Sequence, residues 1–197
     1  MLFIDYEKAC DKIDWGFIVM MLEALGFLTH YCRMVFFFLF GVKATMEING
    51  VRSEFFSLTR SIRQGCPLAP SLFMIASDSL HYLLRDNSLS PCVRGILLPN
   101  NQEVANVWFV DDISILLYLE ETNMTYLMEK LDTFYLASGS KISISKSIML
   151  RWTKEPLVWW SKFDLAWGGS DHLVRYLGIP FSVESDLNLM WVGHFKE

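Results

Sequence analysis

Acidic side chains follow or separate apolar segments at two places in the chain, and carboxylates in such positions can bind a metal ion. Asp111 and Asp112 lie between the apolar segments 104–110 and 113–119, and Asp5 ends another apolar segment at the start of the chain. An Asp pair is common in ordinary turns, which is the simpler interpretation of Asp111 and Asp112 considered alone. Asp5 changes this balance, because pairing of neighbouring strands would bring it close to the pair.

Converging carboxylates are suited to binding a hard divalent cation. No basic residue is adjacent to Asp111 and Asp112, and Mg²⁺ prefers oxygen ligands while keeping water and substrate phosphates in its shell. Two such ions about 4 Å apart can hold the attacking and leaving oxygens of a phosphoryl transfer. The three carboxylates therefore indicate a candidate phosphoryl-transfer site.

A second candidate site lies in the loop 63–70, which has the sequence RQGCPLAP. Arg63, Gln64 and Gly65 combine a cation, an amide and a residue without a side chain, so this loop can approach a nucleotide closely. Considered alone, the loop is more simply interpreted as a surface turn before a helix.

Hydrophobic periodicity predicts the elements that must position these residues. Strands are predicted at 1–6, 104–110, 113–119, 143–150 and 176–181, a hairpin around Asn49–Gly50, and helices at 15–28, about 30–41, about 71–86 and from Thr122 to Gly139. Asp14 and Thr122 are the predicted N-cap residues. The order β-α-α-ββ-loop-α-β-β-α-β predicts an α+β fold, with helices packed on one face of an antiparallel sheet.

Length and composition limit the remaining classes of function. The chain has 197 residues, which indicates one domain or one domain and a fragment. A hydrophobic content of 52% can form a substantial core, so intrinsic disorder is not expected. The net charge of −5 argues mildly against a dedicated nucleic-acid binder, because such proteins usually carry a basic surplus.

Cysteine spacing and hydropathy bear on the compartment. No two of the four cysteines form a CxxC pair, so we expect reduced thiols rather than a zinc site or a disulfide framework. The apolar run 34–42 is too short to span a bilayer, and charged residues interrupt any signal peptide. We expect an intracellular protein of the cytoplasm or nucleus, neither secreted nor bound to a membrane.

Five segments, in order, resemble the motifs of reverse transcriptases from non-LTR retrotransposons (long interspersed elements). They are FIDYEKACDKIDW at 3–15, RSIRQGCPLAPSLF at 60–73, FVDD at 109–112, SGSKISISKS at 138–147 and YLGIPF at 176–181. Another palm enzyme, such as a nucleotide cyclase, would have no reason to carry RQGCPLAP or YLGIPF. The ordered set is therefore much more specific than any single motif.

The resemblance implies a polymerase palm domain with an antiparallel sheet. The palm would cover 1–150 and contain a partial fingers insert at about 28–60. The segment 151–197 would form the end of the palm with its primer-grip region, and a truncated start of the thumb. The implied activity is RNA-directed DNA polymerisation, a two-metal transfer of a dNTP to a primer 3′-OH.

The same resemblance implies a metal-binding role for several residues. Asp5 and Asp111 would hold two Mg²⁺ or Mn²⁺ ions, assisted by the backbone carbonyl of Tyr6. Asp112 would support that site. Lys146 would lie near the phosphates of the nucleotide.

The nucleotide and template would be bordered by Arg63, Gln64 and Gly65. Cys10 stands where the family usually has an aromatic residue that screens the sugar 2′ position. Since cysteine is smaller, we expect weaker rejection of ribonucleotides. Other departures from the family pattern are Ser61, Ala69, Ser140 and Ser143, none of which removes a predicted metal ligand.

Two functional hypotheses remain open at this point. The first is an enzyme that uses an RNA template, a DNA primer and dNTPs, with the fingers and thumb supplied by missing regions of a longer polyprotein. The second is a catalytically inactive, truncated retrotransposon-derived remnant, or an interaction module. The second hypothesis arises because a basic fingers region is expected before Asp5, and only a short segment precedes that residue.

Overall fold

A computed structural model describes residues 1–63, 65–88, 91–104, 106–109, 112–150, 157–163, 165–168, 174–176 and 179–181. The helices are α1 (Ala9–Lys12), α2 (Trp15–Ala24), α3 (Thr29–Leu39), α4 (Ala69–Arg85) and α5 (Glu121–Ser138). The first strands are β1 (Leu2–Ile4), β2 (Lys43–Ala44), β3 (Glu47–Ile48), β4 (Val51–Arg52), β5 (Phe56–Ser57) and β6 (Ile96–Leu97). The later strands are β7 (Glu103–Val104), β8 (Asn106–Phe109), β9 (Asp112–Ile115), β10 (Ile148–Leu150), β11 (Ala166–Gly168), β12 (Val174–Tyr176) and β13 (Ile179–Phe181). Two 3₁₀ turns span Ile144–Lys146 and Val158–Lys162.

The chain divides into two compact units. We call the first the sheet unit; it contains Met1–Tyr6, Asn87–Met128 and the described residues of Ile142–Glu197. We call the second the helical unit; it contains Glu7–Asp86 and Glu129–Lys141. Mixed helix and sheet agree with the predicted α+β class.

The sheet unit is built on a five-stranded sheet of order β11-β10-β1-β9-β8. All of its pairs are antiparallel, as predicted, except β10–β11, which is parallel. β1 lies in the centre, and its three residues are all buried, so the sheet is covered on both faces there. Phe3 packs with Leu150, and the partly buried Met1 and Ile148 lie against them.

The register of β1 against β9 brings two of the predicted acidic residues together where β1 ends and β9 begins. Leu2 pairs with Ile115 and Ile4 pairs with Ile113. Continuing this antiparallel register by one residue sets Asp5 opposite Asp112. The predicted approach of Asp5 to the acidic pair is therefore supported at the level of the backbone for Asp112, whereas Asp111 lies outside the described residues.

The helical unit has its own core around α2, α3 and α4. Asp14 caps α2, its Oδ1 accepting from the Phe17 N–H at 3.0 Å, as predicted. The ring of Phe17 also meets Phe134 edge-on, with centroids 6.0 Å apart. The most deeply buried apolar residues of this unit are Ile13, Ile18, Leu22, Cys32, Val35, Ile62, Phe73, Ala76, Leu80 and Leu84.

A buried lysine holds the end of α4. Lys130 is 2% exposed, and its Nζ donates to the Leu83 carbonyl at 2.9 Å and to the Asp86 carbonyl. Carbonyls at the end of a helix lack the usual donor from a following turn. The ammonium donates to both carbonyls, in addition to the Asp86 N–H that bonds to the Leu83 carbonyl at 3.2 Å. The helix predicted at about 71–86 is confirmed, and Ala76, Leu80 and Leu84 are among its fully buried residues.

Several predicted boundaries are wrong for identifiable reasons. α2 ends at Ala24 instead of continuing to 28, because Gly26 adopts a positive φ of 81°. Thr122 is not the N-cap, since Glu121 is already helical and the Met124 N–H bonds to the Glu120 carbonyl. α1 was not predicted at all.

The predicted strand 143–150 is also wrong in its first half. The structure has a 3₁₀ turn at Ile144–Lys146, and only Ile148–Leu150 forms a strand. The hairpin predicted around Asn49–Gly50 is confirmed, as is the end of α5 at Gly139, which has a φ of 74°. No helix among the described residues is long and apolar enough to cross a bilayer.

Candidate active site

In the sheet unit the candidate site begins with Asp5, immediately beyond the last residue of β1. The Asp5 carbonyl accepts from the Ser143 N–H at 2.8 Å, and the Asp5 N–H donates to Ser147 Oγ at 3.3 Å. Ser147 is fully buried, and its Oγ in turn donates to the Ser143 carbonyl at 2.8 Å. Both the backbone N–H and the backbone carbonyl of Asp5 are therefore hydrogen-bonded to one short turn.

Lys146 is brought to Asp5 by this same turn. Lys146 belongs to the 3₁₀ turn between Ser143 and Ser147, and its Nζ lies 3.4 Å from Asp5 Oδ2. The side chains of Lys146 and Asp5 are 70% and 42% exposed, so water reaches both. The predicted metal-binding carboxylate and the predicted phosphate-binding lysine thus lie together, although their segments are far apart in sequence.

Tyr6 follows directly and forms an isolated antiparallel bridge with Ile142. The hydrogen bonds on either side of the bridge are Ser143 N–H to Asp5 carbonyl and Glu7 N–H to Lys141 carbonyl, both 2.8 Å. The bridge therefore uses the peptide groups that flank Tyr6, while the Tyr6 residue itself is buried.

The acidic pair is only partly within the described residues. Asp112 begins β9 and pairs with Phe109. Asp111 lies outside the described residues. The structure thus tests the strand position of Asp112 and leaves the side chains of the pair as a prediction.

The other predicted residues belong to the helical unit. The Cys10 carbonyl accepts from the Ile62 N–H at 2.8 Å, and the Ile13 carbonyl accepts from the Ser61 N–H at 3.0 Å. Trp15 Nε1 donates to the Ser61 carbonyl at 2.7 Å. The segment that carries Cys10 is therefore bonded to the one that leads into Arg63.

Arg63 and Gly65 line a cavity of about 910 Å³ within the helical unit. The cavity walls are largely apolar and include Trp15, Val35 and Leu72. Gly65 has a φ of 82° and nothing within 4 Å of the place where a Cβ would lie, so its role here is conformational. Gln64, the residue between the two, lies outside the described residues.

The chain matches a known protein family over most of its length. The model of the family described as reverse transcriptase (RNA-dependent DNA polymerase) matches residues 1–181. The chain belongs to the reverse transcriptase family. The membership predicted from the five motifs is thereby confirmed.

A curated relative agrees with the retrotransposon origin. The chain is 25% identical over 187 residues to the transposon TX1 uncharacterized 149 kDa protein of Xenopus laevis. The matched region covers 93% of this chain and 14% of that protein. The two comparisons together confirm the predicted relationship to non-LTR retrotransposon reverse transcriptases.

The family implies a divalent metal, and Asp5, at the end of β1, offers one oxygen donor of the kind that such an ion uses. Asp5 offers a carboxylate that is held at its backbone, is reachable from water and has a flexible lysine as its cation. Hard cations such as Mg²⁺ use oxygen donors of this kind. No cluster of three or more metal-ligating side chains occurs among the described residues, which do not include Asp111.

Reasoning from sequence missed the residues that hold these segments in place. Ser147 was included in a motif without a role, although it bonds the peptide of Asp5. Gly139 was assigned only to the end of a helix, although a Cβ there would lie 2.7 Å from the Lys12 carbonyl oxygen. The Ser138 carbonyl next to it accepts from the Asp14 N–H at 2.8 Å. The sequence signal for Ser147 and Gly139 is that they belong to SGSKISISKS (138–147), one of the five segments that resemble family motifs.

All four cysteines are among the described residues, and none of them is joined to another by a disulfide bond. Cys10 and Cys66 are partly exposed, whereas Cys32 is buried.

Proposed function

We propose that this chain is the palm region of an RNA-directed DNA polymerase, which transfers the nucleotidyl group of a dNTP to a primer 3′-OH. The observation that carries the proposal is the position of Asp5 at the end of the central strand, where continuing the β1–β9 register by one residue sets it opposite Asp112. The match of residues 1–181 to the reverse transcriptase family supports the same activity.

The palm would include 1–150, with a partial fingers insert at about 28–60. The segment 151–197 would form the end of the palm with the primer grip and the start of the thumb. Fingers and thumb from other parts of a longer polyprotein would complete the grip on RNA template and DNA primer. The working compartment would be intracellular.

Two Mg²⁺ or Mn²⁺ ions, when bound, would stabilise the negative charge that develops on the phosphate oxygens. Asp5 and Asp111 would hold them, with the Tyr6 carbonyl as a further oxygen donor and Asp112 in support. The turn formed by Ser143 and Ser147 would keep Asp5 in place, because it bonds the peptide of Asp5 on both sides.

In the reaction the primer 3′-oxygen loses its proton and forms a bond to the α-phosphorus, while the bond from that phosphorus to the bridging oxygen breaks. Pyrophosphate leaves with the electron pair of that bond. Lys146 would pair with the phosphate oxygens. Arg63, Gln64 and Gly65 would border the base and template, and Cys10 the sugar.

A primer-extension assay on poly(A)/oligo(dT) with Mg²⁺ or Mn²⁺ tests this proposal. We expect incorporation of dTTP by the wild-type chain and none by Asp111→Ala, with unchanged circular dichroism. Incorporation that persists in the variant would indicate a wrong site.

A non-catalytic interaction module is the second candidate, favoured by the exposed apolar surface of the helical unit. Leu28, Phe37 and Phe38 are 80%, 82% and 66% exposed, and large exposed apolar patches mark interaction sites. The absence of extension by a well-folded wild-type chain that binds template–primer would favour this candidate.

A further inference from the structure

Lys146 and Asp5 form an ion pair, although each residue is predicted to bind a different ligand. Asp5 is the proposed ligand of a metal ion, and Lys146 the proposed partner of a phosphate. In this structure they contact each other instead, with Nζ and Oδ2 3.4 Å apart. The pair thus occupies the carboxylate oxygen that a metal would use.

The location of the pair is built into the backbone. Ser143 and Ser147, which flank the turn carrying Lys146, both bond the peptide of Asp5. The Ser147 N–H also bonds to the Ser143 carbonyl at 3.0 Å, closing the turn. The backbone of Lys146 is therefore held close enough to Asp5 for the lysine side chain to reach the carboxylate.

The lysine side chain itself is free to leave. It is 70% exposed, and a lysine is a single point charge on a flexible stem, without the two-pronged bonding of an arginine. The separation of 3.4 Å exceeds the usual length of a charge-assisted hydrogen bond, about 2.7–2.9 Å. The contact is one that a stronger ligand can displace.

We propose that Lys146 is a placeholder counter-ion for Asp5, pairing with the carboxylate before metal binds and moving to a phosphate oxygen afterwards. A divalent cation and an ammonium cannot share one carboxylate oxygen without strong repulsion. Each binding event therefore requires the exchange of Lys146 from one anion to another. This inference rests on the proposed function in taking Asp5 as a metal ligand.

The exchange has a measurable consequence for the affinity of the metal. Removing Lys146 removes a competitor, so the metal should bind more tightly. For an exposed pair we expect an increase of about two- to five-fold, equivalent to ~0.4–1 kcal/mol. The same change removes a phosphate partner, so pyrophosphate should bind the metal-loaded chain more weakly.

The sheet unit supplies a matched control in Lys162, which pairs with Glu121. The side chains of Lys162 and Glu121 are 63% and 41% exposed, close to the values for Lys146 and Asp5. Lys162→Met and Lys146→Met remove the same charge from similarly exposed pairs. A difference between them reports the local competition rather than the net charge.

The first experiment measures the dissociation constant of Mn²⁺ by electron paramagnetic resonance for the full chain and both variants. We expect Lys146→Met to bind Mn²⁺ about two- to five-fold more tightly, Lys162→Met to match the wild type, and Lys146→Arg to bind Mn²⁺ no more tightly than the wild type. Equal affinity in Lys146→Met and wild type would overturn the placeholder role, even if primer extension is intact.

A second experiment follows the lysine directly. Reductive ¹³C-methylation keeps the positive charge, so the methyl resonances can report each lysine during a Mg²⁺ titration. We expect the Lys146 resonance to shift and the Lys162 resonance to remain. A stationary Lys146 resonance while Mg²⁺ binds would contradict the exchange.

The two proposals fail in different ways. A chain that binds Mn²⁺ and shows the affinity difference but extends no primer would refute the polymerase function while supporting the exchange. A chain that binds no Mn²⁺ would refute the exchange along with the metal role of Asp5.

Discussion

The segment 138–147 is anchored in two different ways at its two ends. At the Gly139 end the anchor is steric: the helical unit leaves no space for a side chain beside the Lys12 carbonyl. At the Ser147 end the anchor is a hydroxyl that bonds the peptide of Asp5 in the sheet unit. The first anchor requires that residue 139 have no Cβ atom. The second requires the hydroxyl oxygen of Ser147.

Between the two anchors, Ser143 makes its contacts with Asp5 and Ser147 through its backbone. Ser143, where the family usually has Asn, contributes its N–H and carbonyl to the contacts with Asp5 and Ser147. Any residue except proline can supply the N–H. A departure from the family pattern therefore matters only where the side chain itself makes the contact.

Gly139→Ala should have the largest effect on stability. The new Cβ would meet the Lys12 carbonyl oxygen at 2.7 Å at a backbone φ of 74°, so both a clash and an unfavourable conformation result. We expect a loss of about 2–4 kcal/mol in the free energy of unfolding. Denaturant unfolding measures it.

Gly41→Ala is the matched control for that substitution. Gly41 has nearly the same φ, 76°, but nothing lies within 4 Å of the place where its Cβ would be. We expect a loss of only about 1–2 kcal/mol, from conformation alone. Equal losses at Gly41 and Gly139 would show that the contact with Lys12 is unimportant.

Ser147→Ala should rank second. The substitution leaves the Asp5 N–H without the Ser147 oxygen and removes the bond to the Ser143 carbonyl. A fully buried donor that loses its partner costs about 1–3 kcal/mol. Because this bond is only partly buried, we expect a loss of about 1 kcal/mol, and we expect the affinity for Mn²⁺ to fall as well. Thermal unfolding and the Mn²⁺ titration measure the two effects.

Ser143→Asn provides the comparison within the same turn. Because the backbone of Ser143 makes the contacts, stability should change by less than about 0.5 kcal/mol. If Ser143→Asn and Ser147→Ala were equally destabilising, the distinction between backbone and side-chain anchors would be wrong.

Much of the framework was predictable because it depends on local chemistry. Asp14 as an N-cap, the Asn49–Gly50 hairpin and the end of α5 at Gly139 each follow from the preferences of one or two residues. The family membership was predictable because five motifs occur in order. The apolar character of β1 likewise indicated a buried strand.

The remainder was not predictable because it depends on contacts between distant segments. The periodicity of 143–150 resembles a strand, yet Ser143 bonds to Asp5 and the chain forms a 3₁₀ turn instead. The pairing of Lys146 with Asp5 depends on that turn. The clash that makes Gly139 necessary involves the carbonyl of Lys12, which lies far away in sequence.

Cys10→Phe tests the proposal that Cys10, in the helical unit, lies near the sugar of the nucleotide. Given the proposed function, a ring at this position should restore exclusion of the 2′-hydroxyl. We expect the ratio of dNTP to rNTP incorporation to rise by about 10-fold or more. An unchanged ratio in single-nucleotide incorporation assays would remove Cys10 from the proposed site.

The smallest expected effect concerns Glu7, close to Cys10 in sequence. The hydrogen bond from Lys12 at 2.5 Å lowers the pKa of the Glu7 carboxyl. A lowered pKa stabilises the fold above the unfolded-state pKa, and that contribution is lost as pH falls through the folded-state value. In Lys12→Met the Glu7 pKa should return towards its ordinary value, as an NMR titration of the carboxyl carbon would show.

Whether Asp5 binds the catalytic metal is decided by Mn²⁺-dependent primer extension with the Asp5→Asn variant, and Asp132→Asn is the control. Asp132 is exposed on α5, so its substitution should leave the rate unchanged. Because metal-bound carboxylates contribute several kcal/mol to catalysis, we predict that Asp5→Asn loses about 100-fold or more. Wild-type extension by a folded Asp5→Asn chain would contradict the claim that Asp5 is the metal-binding carboxylate of the site.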